Sequence, residues 1–214
     1  ASPSRRRLLQ AIVRFREVGI IIFILLLSAL VTLRNSAFLS ADNFRDILLN
    51  ISILVIVALA QMMVIITRGI DLSVGSIIGL TAMMTSFTAV TLPGMPVVLA
   101  LPLSMALGAM LGALNGLIIA YGHVPPIIAT LGTLSVYRGL IFLYSNGQWV
   151  TADKMPPDFK QLAKGTPLGV PNLILFAIVA AVGVFLFLKY TRTGRDIYAL
   201  GSNPAAARFA GIHA

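Results

Sequence analysis

The feature that most constrains this chain is a series of long apolar stretches separated by short polar segments. A helix that crosses the ~30 Å hydrocarbon layer of a membrane needs about 20 mostly apolar residues. The stretches that approach this requirement are Val18–Leu33, Ile47–Thr67, Val74–Leu92, Val97–Tyr121, Ile127–Tyr144 and Val170–Leu188. An isolated strand in lipid would leave its backbone groups unpaired, so helices are predicted. The expected fold class is all-α: a polytopic integral membrane helical bundle of about six spans, with broken helices.

Composition supports a membrane protein. Hydrophobic residues make up 58% of the 214 and charged residues 11%, whereas soluble domains are about half apolar and about a quarter charged. There is no cysteine, so neither a disulfide framework nor a thiolate metal site is expected. The net charge of +9 is concentrated at the ends, in Arg5, Arg6, Arg7, Arg14 and Arg16 and in Lys189, Arg192, Arg195 and Arg208. Basic residues clustered at the two ends indicate on which side of the membrane those ends lie, and they do not indicate nucleic-acid binding.

The basic ends predict the orientation. An even number of crossings places both ends on one side, and short basic flanks stay in the cytoplasm. We expect a basic cytoplasmic tail at 1–17, a partial transmembrane core at 18–190 and a cytoplasmic segment at 191–214. The loop at 145–169 would then lie outside, although it carries Lys154, Lys160 and Lys164.

The first polar interruption is the sequence TRGIDLSVGS, residues 67–76. Gly69 and Gly75 each weaken a continuous helix by about 1 kcal/mol relative to alanine. Asp71 or Ser73 can cap the helix that follows, and Arg68 is the nearest candidate partner for Asp71. The segment is therefore predicted to end one helix and restart another, either as a simple capped loop or as a break that lines a polar path, as in transporters.

A second interruption runs from Asn115 to Gly139. Pro125 and Pro126 remove two backbone donors, so the fourth span must end by His123. Thr130 and Thr133 then place hydroxyl groups inside the fifth span, where they can bond either a polyhydroxylated solute or a neighbouring helix. Arg138 either reaches the outer interface by snorkelling or belongs to the path.

No residue pattern in the sequence indicates catalysis or metal binding. His123 and His213 lie in different segments without a cysteine or an acidic cluster, and His123 is interpreted as a loop residue. Neither a Ser-His-Asp arrangement nor a Walker-type loop is found, so any energy source must be supplied by something else.

The last segment, TRTGRDIYALGSNPAAARFAGIHA, follows the sixth span. Asn203 before Pro204 predicts a helix start, because the missing N–H of proline is harmless at the first helical position. A short helix over Ala205–Ala210 is expected before Gly211. Its apolar residues are mostly alanine, which favours docking in a partner's groove over lying on lipid.

The first interruption, the second interruption and the last segment, in this order, resemble the permease subunit of bacterial ABC importers of the ribose, autoinducer-2 and rhamnose type. The resemblance runs from about Phe38 onwards. The stretch YRGLIFLYSNGQWV looks closest to the rhamnose and autoinducer-2 branch. Gly201–Gly211 resembles the family's coupling helix, with Ser202 where a further glycine is common. Family members continue through further membrane spans, so we expect this chain, which stops at Ala214, to be a truncated permease.

The resemblance implies a transport subunit and not an enzyme, in the bacterial inner membrane. Implied partners are an ABC ATPase that holds ATP and magnesium, a second or sister permease, a periplasmic sugar-binding protein and lipid; this chain is expected to bind no cofactor and no nucleic acid. Asp71, Ser73 and Asn115 are predicted to shape the path, and Thr130, Thr133 and Arg138 to line it. Asn203, Pro204, Ala206 and Gly211 are predicted to transmit the motion of the ATPase. The alternative is a secondary transporter or channel, which would need intramembrane acids for ion coupling; Asp71 alone qualifies.

Overall fold

The computed structural model describes residues 3–92 and 94–212, with the backbone alone for residues 3–17. The helices within these ranges are α1 (Pro3–Arg34), α2 (Ala41–Ile66), α3 (Val74–Thr91), α4 (Ala100–Ala120), α5 (Pro126–Ser145), α6 (Pro157–Lys164), α7 (Asn172–Tyr190), α8 (Arg192–Ser202) and α9 (Pro204–Phe209). Short 3-10 helices cover Ser36–Leu39 and Val97–Leu99. The expected all-α class is confirmed. The side chains of the basic tail and residues 213–214 lie outside the described part.

Within the described residues, five helical segments are long and apolar enough to cross a membrane: α2, α3, Val97–Ala120, α5 and α7. They correspond to the second to sixth predicted spans. The first predicted span is the apolar part of α1, Val18–Arg34, which is shorter than the other five. Most apolar side chains of the spans stay exposed, as helices that face lipid or further protein require; Leu54 of α2, for example, is 65% exposed.

The chain divides into two compact units, one up to Asn50 and one from Ile51 onwards. In the first unit, the turn after α1 is held by side-chain amides. The Asn35 Oδ1 atom accepts a hydrogen bond from the Ala37 N–H at 3.0 Å, and the Asn43 Nδ2 atom donates to the Phe38 carbonyl at 2.6 Å. These bonds fix the chain where it enters α2.

The core of the second unit lies between α3, α4 and α5. Its buried residues are Leu80 and Met83 of α3, Leu111 of α4, and Tyr137 and Ile141 of α5. Helix association in lipid depends on close packing and on interhelical hydrogen bonds, because lipid tails are as apolar as the side chains. The hydroxyls of Thr85 and Ser104 form such a bond between α3 and α4, at 2.8 Å.

Two helices were not predicted from the sequence. In the loop before α7, the structure has α6. Pro157 lies at its first position, Asp158 in its first turn and Lys164 in its last, which suits a helix start and the helix dipole. The other helix, α8, follows its N-cap residue Thr191, whose hydroxyl accepts a hydrogen bond from the Gly194 N–H at 3.0 Å.

Candidate functional site

The polar break, residues 67–73, ends α2 in a tight hydrogen-bonded turn. The Arg68 N–H donates to the Ile65 carbonyl at 2.9 Å, and the Gly69 N–H donates to the Val64 carbonyl at 3.0 Å. This pair of bonds defines a Schellman C-cap. Arg68 has a φ of 62°, the left-handed conformation that glycine usually provides at this position. The predicted helix end and restart are therefore present.

Asp71 organises the start of α3. Its Oδ1 atom accepts hydrogen bonds from the Ser73 N–H at 2.7 Å and from the Ser73 hydroxyl at 2.6 Å. Its backbone carbonyl accepts a bond from Gln61 Nε2 at 2.7 Å. Asp71 is half-buried and Ser73 is fully buried. Ser73 is the N-cap residue of α3, but its side chain makes no cap bond; the Asp71 side chain instead accepts the N–H of Ser73, the residue just before the helix.

The bonds of Arg68 run to the C-terminal segment instead of to Asp71. The Arg68 Nε and Nη2 atoms donate to the carbonyls of Gly201 and Ser202, each at 2.7 Å. A spacing of three residues brings two side chains together on a helix face, but Arg68 lies in the left-handed turn after α2. The expectation that Arg68 is the nearest partner of Asp71 is therefore wrong.

Asn115 and Tyr137 extend the network across α4 and α5. The Asn115 Nδ2 atom donates to the Ser73 hydroxyl at 2.7 Å, and both residues are buried. The Tyr137 hydroxyl lies 2.9 Å from the Leu111 carbonyl and 3.4 Å from Asn115 Oδ1, so the carbonyl is its stronger acceptor. We call Asp71, Ser73, Asn115 and Tyr137 the polar cluster. Within it, Asn115 donates to Ser73 and Ser73 donates to Asp71.

Thr130 holds the break against α5. Its hydroxyl donates to the Pro126 carbonyl at 2.7 Å and accepts a bond from the Leu72 N–H at 3.2 Å. The residue is 1% exposed. The Thr130 hydroxyl thus bonds its own helix and the polar break, and not a neighbouring helix as the second alternative expected.

The remaining predicted path residues lie outside the polar cluster. Thr133 is half-buried, and its hydroxyl donates to the Thr130 carbonyl of the same helix at 3.3 Å. Arg138 follows the buried Tyr137 on α5 and is exposed. The six predicted path residues therefore do not contact one another as a single group. The cluster instead includes Tyr137, which the sequence analysis did not identify.

The C-terminal segment has the predicted helix start. The Asn203 Oδ1 atom accepts a hydrogen bond from the Ala206 N–H at 3.1 Å, and Pro204 is the first residue of α9. Gly211 follows the helix with a φ of 77°. Ala206 is exposed and Phe209 is 95% exposed. The helix therefore presents an alanine surface with one uncovered aromatic side chain.

The buried polar atoms of the polar cluster are all hydrogen-bonded within the protein in this conformation. Among the described residues, every buried side-chain nitrogen and oxygen atom has a hydrogen-bond partner. A carboxylate, a hydroxyl and an amide can exchange these bonds for those of a hydroxylated solute only when the helices separate. Interrupted helices around buried polar groups, together with the five helices of the described residues that are long and apolar enough to cross a membrane, indicate a polytopic helical membrane protein, and such interruptions recur in transporters.

The chain belongs to the family described as branched-chain amino acid transport system / permease component, whose model matches residues 43–214. It is 38% identical over 196 residues to the ribose import permease protein RbsC of Haemophilus influenzae, and the match covers 90% of this chain and 59% of that relative. It is 36% identical over 207 residues to the autoinducer 2 import system permease protein LsrC of Enterobacter sp., covering 95% of this chain and 58% of that relative.

A third relative is the ribose import permease protein RbsC of Bacillus subtilis, 35% identical over 197 residues, with 92% of this chain and 61% of that relative covered. The chain thus spans about three fifths of the length of the relatives it matches. No solved structure matches it. The expected resemblance to ribose and autoinducer-2 permeases is confirmed.

Proposed function

We propose that this chain is part of the permease subunit of an ATP-driven importer of a monosaccharide-like solute of the ribose, autoinducer-2 or rhamnose class. The names of its relatives support the first two solutes. The permease would form the translocation path with a second copy or a sister permease. A periplasmic sugar-binding protein would deliver the solute, and a separate ATPase would hold ATP and magnesium.

The exposed helix α9 is the observation that carries this proposal. Ala207 is 4% exposed and anchors α9 to its own chain, while Phe209 is 95% exposed. A short helix with a small-residue surface and one protruding aromatic side chain suits insertion into a groove of a partner protein. Asn203 and Pro204 set where the helix starts, and Gly211 ends it. We propose that the ATPase grips α9 here.

The orientation of the permease follows from this partner. The ATPase works in the cytoplasm, so residues 191–214 must lie there, in the inner membrane topology that the basic ends predict. The polar break lies at the same end of the second unit, because Arg68 bonds Gly201 and Ser202. The basic tail, residues 1–17, would also be cytoplasmic.

We also propose that the polar cluster lies on the solute path. Asp71, Ser73 and Asn115 would shape the path, and Thr130, Thr133 and Arg138 would line it once the helices separate. Alternating access requires two states of the bundle, biased by ATP at one face and by the loaded binding protein at the other. The closed cluster belongs to one of these states.

Reconstitution tests the proposal. The full-length permease is placed in proteoliposomes with its ATPase and binding protein, and uptake of labelled ribose and autoinducer-2 is measured with ATP on the ATPase side, with ATP omitted, and with an imposed proton or sodium gradient. We expect uptake that requires ATP and ignores the gradients. Uptake driven by a gradient without ATP would support the secondary transporter or channel alternative and refute the proposal.

A further inference from the structure

The side chain of Arg68 joins the polar break to the end of α8. Its Nε and Nη2 atoms donate to the carbonyls of Gly201 and Ser202, each at 2.7 Å. The last carbonyls of a helix have no partner within the helix, and a cation favours the negative end of the helix dipole. Arg68 therefore caps α8 across a sequence separation of more than 130 residues.

The same junction is close-packed through the backbone. An added Cβ atom at Gly201 would overlap the Ile66 carbonyl, the last of α2. The end of α8 thus lies directly against the end of α2, with the guanidinium group beside it. A displacement of α8 must be transmitted to the start of the polar break.

Both ends of the polar break are anchored. At one end, Arg68 bonds α8; at the other, Asp71 bonds Ser73, and Ser73 accepts the bond from Asn115. On the far side of the junction, Asn203 alone separates α8 from α9, and its N–H donates to the Ala199 carbonyl at 3.0 Å. A short bonded chain therefore connects α9 with the polar cluster.

The backbone of Arg68 indicates that its side chain is required. At φ 62° the position suits glycine, and a glycine, Gly69, lies one residue further on. An arginine here keeps an unfavourable backbone conformation and gains the two bonds to α8. A residue kept only to end α2 would not need a guanidinium group.

We infer that Arg68 is a positioning residue that transmits the displacement of α8 and α9 to the polar cluster, an inference that rests on the proposed docking of an ATPase on α9. It moves no solute and binds no nucleotide. Its role is to make the start of the polar break follow the end of α8 during the transport cycle.

The test compares Arg68→Gly, Arg68→Lys and the unaltered permease in the complete reconstituted transporter, by measuring solute taken up per ATP hydrolysed. Arg68→Gly removes the bonds while suiting the left-handed backbone. We expect its coupling ratio to fall by about tenfold, within the range of coupling between distant sites, with the ATPase still bound. Arg68→Lys keeps the charge but lacks the fork of donors, so an intermediate ratio is expected.

Asn146→Gly is the matched control. Asn146 has a φ of 52° at the end of α5 and precedes Gly147, whose N–H donates to the Phe142 carbonyl at 3.2 Å. Like Arg68, Asn146 is a left-handed residue before a glycine that bonds the carbonyl five residues back, but its own N–H bonds Phe142 and it lacks the link to α8. The coupling ratio of Asn146→Gly should not change.

Two results would overturn the inference: an unchanged coupling ratio in Arg68→Gly, or loss of folded Arg68→Gly protein from the membrane, which would make the arginine a structural cap. Failure of the proposed function looks different, because the unaltered transporter itself would then show no ATP-dependent uptake.

Discussion

Replacing Asp71 with asparagine separates the charge of the polar cluster from its geometry. The Oδ1 atom that accepts both bonds from Ser73, at 2.7 and 2.6 Å, is retained in the amide. A hydrogen bond to a charged group contributes about 1.5–3 kcal/mol, and one between neutral groups about 0.5–1.5 kcal/mol. Two bonds therefore lose about 2–3 kcal/mol of stabilisation. Removing the charge of a half-buried carboxylate offsets part of this loss, so the net loss of stability is smaller.

The assay measures thermal unfolding and uptake on the same full-length preparations. For Asp71→Asn we expect an unfolding midpoint close to that of the unaltered permease and uptake reduced by about tenfold or more, which corresponds to about 1.4 kcal/mol of lost transition-state stabilisation. Leucine in Asp71→Leu has no hydrogen-bond acceptor, so the buried N–H and hydroxyl of Ser73 lose the acceptor that Asp71 provides. Each unsatisfied donor destabilises the folded protein by about 1–3 kcal/mol. That variant should lose folded protein.

Asp153→Asn is the matched control for the loss of one carboxylate. Asp153 lies fully exposed in the loop before α6, away from the polar cluster. Stability and uptake should both stay unchanged. Parallel loss of stability and uptake in Asp71→Asn would show that Asp71 serves only as a cap, and unchanged uptake would show that the charge has no role in transport.

The other predictions concern the C-terminal segment. Ala206→Glu places a bulky charge on the exposed surface of α9 and should separate ATP hydrolysis from uptake while the permease stays in the membrane; unchanged coupling in proteoliposomes would contradict docking. Asn203→Ala removes the cap on the Ala206 N–H, costs about 1 kcal/mol and should speed amide hydrogen exchange in α9, unless solvent caps the helix equally well. Gly201→Ala stabilises the helical conformation of α8 by about 1 kcal/mol, but its new Cβ atom would overlap the Ile66 carbonyl. We expect the overlap to dominate and the unfolding midpoint to fall; a raised midpoint would show that the junction is loosely packed.

The helix boundaries and spans that were predicted correctly are those determined by residues close to them in sequence. Long apolar runs predicted five of the spans, because a membrane leaves the backbone few alternatives to a helix. Pro125 and Pro126 predicted the end of α4, which ends at Ala120. Asn203 and Pro204 predicted the start of α9 to the residue. Each of these signals acts within a few residues of the feature that it determines.

The polar cluster depends on contacts that no local signal reveals. Asn115 lies 42 residues from Ser73 in sequence, and Tyr137 lies 22 residues from Asn115. Their meeting is set by how α3, α4 and α5 pack, which periodicity does not determine when apolar residues surround a helix on all sides. The sequence therefore identified Asp71, Ser73 and Asn115 as separate candidates and missed Tyr137, whose hydroxyl bonds the Leu111 carbonyl.

At Arg68 the backbone conformation favours glycine, while the hydrogen bonds to α8 require arginine. The free energies of these two effects can be compared. A left-handed conformation costs a residue other than glycine about 1–2 kcal/mol, so local preference alone would place glycine there. Bonds from a charged donor contribute about 1.5–3 kcal/mol each when protected from water, but Arg68 is exposed and its bonds must be discounted towards the smaller values of surface pairs. Two discounted bonds roughly offset the backbone strain, so Arg68 adds little net stability. A side chain held in strain for so little gain in stability is better explained by what it connects: the end of α8 and the polar break that leads to Asp71.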